Sequence, residues 1–346
     1  ISASQIGSSK IVFIADDGAV NVLKDNIYLE EGTIVDATFM DSEALRLFLK
    51  TQISEAKKQN LLFSVHLKAT MMKVSDPIIF GHAVSSFFEK SFKKHNSTLE
   101  EIGANPNMGL GDVLEKIALK SEVLRDFEAE MKNGPKMYMV DSDRGITNLH
   151  VPSDVIIDAS MPALIRAGGK GWGPDGKPSD TKCVIPDSSY APIYDETINY
   201  FKATGALDPK TSGAVANVGL MAQKAEEYGS HPTTFEIKKK GVVQYVLENG
   251  EILHQHRVKT GDIWRSSTAK KAAIIDWVNL AITRQQETGS QAIFWLDQNR
   301  SHDAELIEYV RTALENENLA HHFLIMAPRE ATRLTLETIR AGQDSI

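Results

Sequence analysis

The chain alternates between short runs of consecutive apolar residues and longer stretches in which apolar residues recur every three or four positions. The first pattern is typical of buried strands and the second of amphipathic helices. Consecutive apolar residues predict strands at Lys10–Asp16 and Leu61–Leu67. Asp41 precedes a stretch with helical spacing, so we expect it to cap a helix. The apolar positions of that helix are Leu45, Phe48, Leu49 and Ile53.

The predicted strand at Leu61–Leu67 leads into a polar turn that carries Lys68 and Lys73, and Pro77 then opens an apolar helix. In α/β proteins, active sites collect where a strand passes to a helix. A lysine held there, partly desolvated, can have its pKa lowered enough to act as a base. The alternative is an ordinary surface lysine at a strand end. The turn is therefore a candidate catalytic segment.

The middle of the chain contains a second candidate site, at Asp158. Residues 96–134 have a helical, acidic pattern, and a strand at Lys136–Val140 follows. That strand runs into a polar cluster, Asp141–Asn148. We expect residues 152–154 to cap a helix over Val155–Ala167, with Asp158 near its start. An acid there gains from the helix dipole, and a carboxylate among apolar neighbours can also bind a divalent metal. The pattern leaves both interpretations open.

Two helices are predicted at Tyr190–Thr204 and Val218–Tyr228, each ended by a glycine. Tyr228 therefore lies at a helix end, where its hydroxyl either faces a cleft or binds a backbone carbonyl. A β-hairpin follows within residues 235–258, because Asn249-Gly250 is a strong signal for a tight hairpin turn. His254 and His256 share one face of its second strand. We interpret them as part of a solvated face rather than as metal ligands.

The last third predicts a parallel α/β layer. A helix over Ser267–Thr288 is followed by strand Gln291–Leu296, helix His302–Glu315, strand His322–Met326 and helix Pro328–Ala341. Four polar residues follow the first strand of this layer, at the edge where such sheets bind ligands. They are Asp297, Arg300, His302 and Asp303. The alternative is helix capping by Ser301 and Asp303, with Arg300 in solvent.

Composition and charge narrow the class of protein. The 346 residues are 42% hydrophobic and 24% charged, which is ordinary for a globular protein and long enough for two lobes. The formal net charge of −8 argues against nucleic-acid binding, and the absence of a long apolar stretch argues against a membrane span. A single cysteine, Cys183, suits a reducing, cytoplasmic environment. The chain starts without Met and ends just after a helical pattern, so we expect a fragment of a longer protein.

Three long blocks carry a family resemblance. They are Lys68-Ala69-Thr70-Met71-Met72-Lys73-Val74-Ser75-Asp76-Pro77-Ile78-Ile79-Phe80-Gly81-His82, the segment 143–162 that includes Val155-Ile156-Ile157-Asp158-Ala159-Ser160, and the segment 217–231 that includes Glu226-Glu227-Tyr228-Gly229-Ser230-His231. The chain resembles the monomeric-type, NADP-dependent isocitrate dehydrogenases of bacteria across its whole length. The resemblance implies an isocitrate/isopropylmalate dehydrogenase-like α/β fold, with a two-lobed large domain, mixed sheets and flanking helices.

The resemblance also implies an activity. It is the NADP-dependent oxidative decarboxylation of isocitrate to 2-oxoglutarate in the tricarboxylic acid cycle, with Mg²⁺ or Mn²⁺, by a monomeric cytoplasmic oxidoreductase. Carried over by matching position, Lys73 is the catalytic lysine, with Lys68 in reserve, and Tyr228 protonates the enolate after CO₂ leaves. Asp158 is one metal ligand. The matched blocks also suggest a substrate-binding role for Lys68, Arg144 and Asn148, whereas no residue is assigned to NADP.

Two of the family's motifs are absent from this sequence. No Ser-x-Asn-x-x-Arg segment grips the substrate carboxylates, and no Arg-Asp-x-x-x-Asp supplies the other two metal carboxylates. We therefore expect a large domain without its small domain, divided into a first lobe at 1–150 and a second lobe at 151–346. We expect this chain alone to be inactive. The alternatives are a non-catalytic domain that folds or self-associates, and a related β-decarboxylating dehydrogenase acting on isopropylmalate or tartrate.

Overall fold

The structure is a computed structural model of the chain. The parts that it describes are residues 1–68, 75–188, 190–216, 233–317 and 319–346. Among them, no helix is long and apolar enough to cross a membrane. Lys73, Tyr228 and the predicted helix Val218–Tyr228 lie outside the described residues.

Helices are the larger part of the regular structure. Those of the described residues are α1 Ser42–Gln59, α2 Ser75–Phe87, α3 Glu89–Lys94, α4 Asn96–Glu101, α5 Leu110–Ile117, α6 Ser121–Asn133, α7 Ile157–Arg166, α8 Ala191–Thr204, α9 Lys271–Thr288, α10 Ser301–Asn316 and α11 Pro328–Arg340. The start of α1 is capped as predicted: the Asp41 carboxylate accepts hydrogen bonds from the backbone N–H groups of Glu43 and Ala44.

The strands of the described residues are short, none exceeding ten residues. They are β1 Gly7–Ala15, β2 Val20–Leu29, β3 Ile34–Met40, β4 Leu62–Val65, β5 Met139–Asp141, β6 Ile146–Thr147, β7 Lys170–Trp172, β8 Pro178–Val184, β9 Thr234–Glu236, β10 Gly241–Leu247, β11 Ile252–Val258, β12 Ile263–Ala269, β13 Ala292–Trp295 and β14 Phe323–Met326. The sequence analysis did not predict β2, β3, β6, β7 or β8. β2, for example, is a mostly exposed edge strand without a long continuous apolar run.

These strands form mixed sheets, as expected for the fold class. One antiparallel sheet has the order β11-β10-β1-β2, and a second places β12 between β3 and β9. A third sheet pairs β4 with β8 in parallel and β8 with β7 in antiparallel fashion. The predicted parallel layer is confirmed by the pairing of β13 with β14. β5 and β6 form a small hairpin.

Several sheets pair strands from both halves of the chain. β1 pairs with β10, β3 with β12, and β4 with β8. Lobes divided at residue 150 would therefore have to share strands, and that division stays a prediction.

The largest buried cluster surrounds β4. Five large side chains are fully buried in it: Phe63 of β4, Leu49 of α1, Phe80 of α2, Phe88 just after α2, and Phe127 of α6. Burying such a side chain is worth about 1.5–3 kcal/mol, so this cluster fixes the position of β4 firmly. Other clusters lie between the two antiparallel sheets, around β13, and beneath α7.

The start of one predicted helix was wrong. The helix expected over 267–288 begins at Lys271, because β12 extends to Ala269. The short side chains Ser266 and Ser267 are buried where β12 pairs with β3, and this pairing outweighs any helical tendency.

His254 and His256 are half-buried rather than solvated. The His254 ring contacts the backbone oxygen of Val35, and the Trp264 indole N–H donates to Nδ1 of His256 at 3.1 Å. The hairpin predicted around them is confirmed as β10–β11.

Candidate functional site

The candidate site lies just beyond the end of β4, where the chain meets the start of α7. Beyond Val65 the chain stays extended, and the His66 backbone N–H donates to the Val184 carbonyl at 2.9 Å. Leu67 then bridges to Ile156, and the Ile157 N–H donates to the Leu67 carbonyl at 2.9 Å. The strand end is thereby joined directly to the first residue of α7.

This pairing explains why the helix predicted over Val155–Ala167 begins two residues later, at Ile157, and why its predicted cap was wrong. Residues Pro152–Val155 form a separate turn of 3₁₀ helix, and Ile156 is extended with ψ 113°. Because Ile156 pairs with Leu67, α7 cannot begin before Ile157, and no side chain caps its start. The consequence for Asp158 is the expected one: it lies in the first turn of the helix.

The structure brings Lys68 and Asp158 together. The Lys68 ammonium donates a hydrogen bond to Oδ2 of Asp158 in a close ion pair. The Lys68 side chain is 18% exposed and that of Asp158 is 46% exposed, so the pair lies at the surface end of the strand–helix junction. The positive end of the α7 dipole adds to the stabilisation of the carboxylate. Two residues predicted from separate blocks therefore form one charged pair.

Beneath this pair, His66 is fully buried between two serines. Its Nε2 lies 2.8 Å from the Ser64 hydroxyl and its Nδ1 lies 2.7 Å from the Ser160 hydroxyl of α7. Burial lowers the pKa of His66 to about 4, so the ring is neutral near neutral pH. The sequence analysis did not single out His66. Its position inside an otherwise apolar run was the available signal.

Asn148 is buried on the other side of β4. Its Oδ1 accepts from the Val65 N–H at 2.7 Å, and its Nδ2 donates to the Val65 carbonyl at 3.1 Å. The side-chain amide thus replaces a neighbouring strand at the last residue of β4. Its substrate-binding role stays a prediction, while the geometry gives it a part in holding the strand that carries Lys68.

Arg144 lies in the turn between β5 and β6, with an exposed side chain. Its backbone N–H donates to the Asp141 carboxylate at 3.1 Å, and the following Gly145 has a φ of 70° that favours glycine. Its substrate-binding role stays a prediction. The other candidates, Lys73 and Tyr228, fall in residues 69–74 and 217–232 and lie outside the described residues.

Asp158 has the chemistry of one ligand to a hard divalent cation. Its carboxylate is half-exposed, and a cationic group, the Lys68 ammonium, already binds it. Mg²⁺ and Mn²⁺ take carboxylate oxygens among about six ligands, so Asp158 fits the metal as one donor of a larger set.

A different cluster has metal-like spacing within the described part of the chain. One ligand atom from each of His95, Glu122 and Asp126 lies within 4.8 Å of the others. The Lys94 ammonium donates to Glu122 at 3.1 Å and to Asp126 at 2.7 Å, and this contact lowers the pKa of Asp126. Lys94 therefore already supplies the positive charge between α3 and α6, and an ion-pair network explains the cluster.

The polar group after β13 is also accounted for by local structure. The Asp303 carboxylate accepts from the Asp297 N–H at 2.9 Å and from the Arg300 guanidinium at 2.7 Å. His302 is buried beside Asp36 and lowers the pKa of that carboxyl. The predicted capping by Ser301 and Asp303 was wrong, because no side chain caps the start of α10; Asp303 instead holds the loop before the helix and pairs with Arg300.

Comparison with known proteins agrees with the predicted fold class. The family model for monomeric isocitrate dehydrogenase matches residues 1–346. The chain is 51% identical over 346 residues to a curated isocitrate dehydrogenase (NADP) of Azotobacter vinelandii, covering 98% of this chain and 47% of that protein. It is 48% identical over 341 residues to the isocitrate dehydrogenase (NADP) of Corynebacterium glutamicum, covering 97% and 46%. The chain spans about half the length of the curated relatives it matches.

Proposed function

Because the chain belongs to the monomeric isocitrate dehydrogenase family, we propose that the protein carrying it oxidises and decarboxylates isocitrate to 2-oxoglutarate. NADP⁺ accepts the hydride, as the names of the relatives suggest. The observation that carries the proposal is the Lys68–Asp158 pair at the junction of β4 and α7. It joins a cation and a carboxylate, two of the candidate site residues, just beyond the end of β4.

Asp158 is the described residue that would hold Mg²⁺ or Mn²⁺, together with ligands from elsewhere in the protein. When bound, the divalent ion polarises the C2 oxygen of the substrate. Lys68 would turn from Asp158 towards a substrate carboxylate, to which its ammonium can donate. Arg144, whose guanidinium is exposed, would contribute a second cationic contact to the substrate. Asn148 would hold the end of β4 in place through its two hydrogen bonds to Val65.

Proton transfers fall to Lys73 and Tyr228 in this proposal. Lys73 removes the proton from the C2 hydroxyl as the C2 hydride passes to NADP⁺, leaving a ketone. The bond from C3 to its carboxylate then breaks, CO₂ leaves, and the electron pair remains as an enolate. Tyr228 protonates C3 of the enolate to give 2-oxoglutarate. Holding each group near the reacting atoms is the main contribution of the fold.

We further propose that the protein acts in the cytoplasm as a monomer, with isocitrate as its small-molecule partner rather than nucleic acid or a membrane. The formal net charge of −8 supports the exclusion of nucleic acid, because polyanion binding depends on basic surfaces. A substrate panel tests the chemistry. Isocitrate should support NADPH formation by the whole protein in the presence of Mn²⁺, whereas isopropylmalate and tartrate should not.

A matched pair of variants tests Asp158 itself. Asp158→Asn in the whole protein should abolish Mn²⁺ binding measured by electron paramagnetic resonance, because an amide is a poor ligand for a hard cation. Asp154→Asn is the control, since Asp154 is also exposed and lies shortly before α7. Equal Mn²⁺ binding by both variants would contradict the assignment of Asp158.

A further inference from the structure

The buried ring of His66 connects the strand that carries Lys68 to the helix that carries Asp158. We propose that the His66–Ser160 hydrogen bond positions Asp158 and thereby sets the affinity of the site for its divalent cation. His66 and Ser160 are positioning residues in this inference, which rests on the proposed function. Neither touches the cation or the substrate.

Three successive residues of the strand end contact the first turn of α7. His66 Nδ1 lies 2.7 Å from the Ser160 hydroxyl, and the Leu67 carbonyl accepts from the Ile157 N–H at 2.9 Å. Lys68 binds Asp158. Because α7 has no side-chain cap, these contacts hold its start in place. The Lys68–Asp158 pair breaks when Asp158 binds a metal, and the Leu67–Ile157 bond belongs to the backbone. The His66–Ser160 bond is therefore the side-chain contact that remains when the metal is bound.

The neutral His66 ring has one donor nitrogen and one acceptor nitrogen. We assign their directions from Ser64, whose hydroxyl lies 3.3 Å from the Lys182 carbonyl and can donate to it. The Ser64 oxygen then accepts from Nε2–H of His66. Nδ1 is then the acceptor, and the Ser160 hydroxyl donates to it. Both ring nitrogens are satisfied, and the ring has a fixed orientation.

If position 66 had only to fill the protein interior, an apolar side chain would be sufficient. The neighbours of His66 along the strand, Val65 and Leu67, are apolar and fully buried. A buried imidazole loses its hydration, and its two hydrogen bonds only offset that loss. What the imidazole adds is a directional link to Ser160, two residues after Asp158. Removing a hydrogen bond made directly to a metal ligand typically costs about 10–100-fold in metal affinity or activity. The His66–Ser160 bond acts through the helix turn that carries Asp158, so we expect an effect at the lower end of that range.

The first test measures the Mn²⁺ dissociation constant of the whole protein by electron paramagnetic resonance, with Mn²⁺ alone as the probe. Ser160→Ala should raise the Kd about tenfold, and Ser160→Thr, which keeps a hydroxyl, should restore it. Ser9→Ala is the matched control. Ser9 is a buried serine whose hydroxyl lies 2.7 Å from the Ile27 carbonyl and 3.5 Å from the Tyr245 hydroxyl, and it lies in another sheet. This control should lose stability without any change in Kd.

A second pair of variants separates the two nitrogens of His66. His66→Asn keeps an acceptor close to the Nδ1 position, facing Ser160, whereas His66→Gln reaches towards the Nε2 position, facing Ser64. The Asn variant should bind Mn²⁺ more tightly than the Gln variant. The inference is overturned by equal Kd values for these two variants, or by a wild-type Kd in Ser160→Ala.

Failure of the proposed function and failure of the positioning role give different results. Wild-type protein that neither binds Mn²⁺ nor oxidises isocitrate overturns the proposed function, and the inference falls with it. Wild-type protein that does both, while Ser160→Ala binds Mn²⁺ equally well, overturns the positioning role alone.

Discussion

Replacing Asn148 with alanine should destabilise the protein rather than merely weaken substrate binding. The Asn148 amide makes both hydrogen bonds that a neighbouring strand would make with Val65, at 2.7 Å and 3.1 Å. Alanine would leave the N–H and the carbonyl of Val65 without these partners in a fully buried strand. The backbone of Asn148 would keep its own bond to the Tyr138 carbonyl.

The loss of stability in Asn148→Ala follows from the N–H and the carbonyl of Val65, which lose their partners. A buried donor or acceptor left without a partner costs about 1–3 kcal/mol. Partial access of water to the new space lowers the combined cost, so we expect a loss of about 2–4 kcal/mol in the free energy of unfolding. That is a large fraction of the stability of a typical domain.

Urea unfolding of the whole protein, followed by circular dichroism, measures this loss. Asn96→Ala is the control, because the Asn96 amide is exposed and binds only Glu100 on the same helix. It should change the free energy of unfolding by less than about 0.5 kcal/mol. Unchanged stability of Asn148→Ala, combined with a large rise in the KM for isocitrate, would refute this reasoning and favour direct substrate contact.

Three further outcomes are expected. The pKa of His66 is lowered from 6.5 to about 4, so its contribution to stability is present above pH 6.5 and is lost as the pH falls towards 4. Wild-type protein should therefore lose about 2 kcal/mol more than His66→Gln between about pH 7 and pH 5, and equal losses in urea titrations would contradict the shift. Lys68→Met should tighten Mn²⁺ binding without isocitrate by up to about fivefold, since no ammonium then competes for Asp158; weaker binding would argue against that competition. Residues 1–346 expressed alone should reduce no NADP⁺ with isocitrate and Mn²⁺, because a single family-assigned carboxylate binds a divalent cation weakly, and measurable NADPH formation would disprove this.

Continuous apolar runs and helical spacing were sufficient to predict most of the longer helices and about half of the strands of the described residues. The strand at β4, the cap at Asp41, the β10–β11 hairpin and the parallel pair β13–β14 all depend on local patterns, and the structure confirms them. The start of α7 could not be predicted in this way. It depends on the pairing of Ile156 with Leu67, which lies far away in sequence.

The same distinction applies to the site. Family resemblance selected Lys68 and Asp158 one at a time, and only the tertiary structure shows that they form a pair. The position of His66 inside an apolar run was a local signal, but it does not reveal the link to Ser160, which is 94 residues away in sequence. The buried position of Asn148 likewise depends on the edge of β4, which the sequence does not show.

The most direct test of the account compares wild-type whole protein with Lys73→Met in an assay of isocitrate-dependent NADPH formation with Mn²⁺. We expect rapid NADPH formation by the wild-type protein. We expect none by the variant, while circular dichroism shows the same folded state for both. Wild-type protein that forms no NADPH from isocitrate, or a Lys73→Met variant that keeps the wild-type rate, would contradict the proposed reaction or its catalytic lysine, respectively.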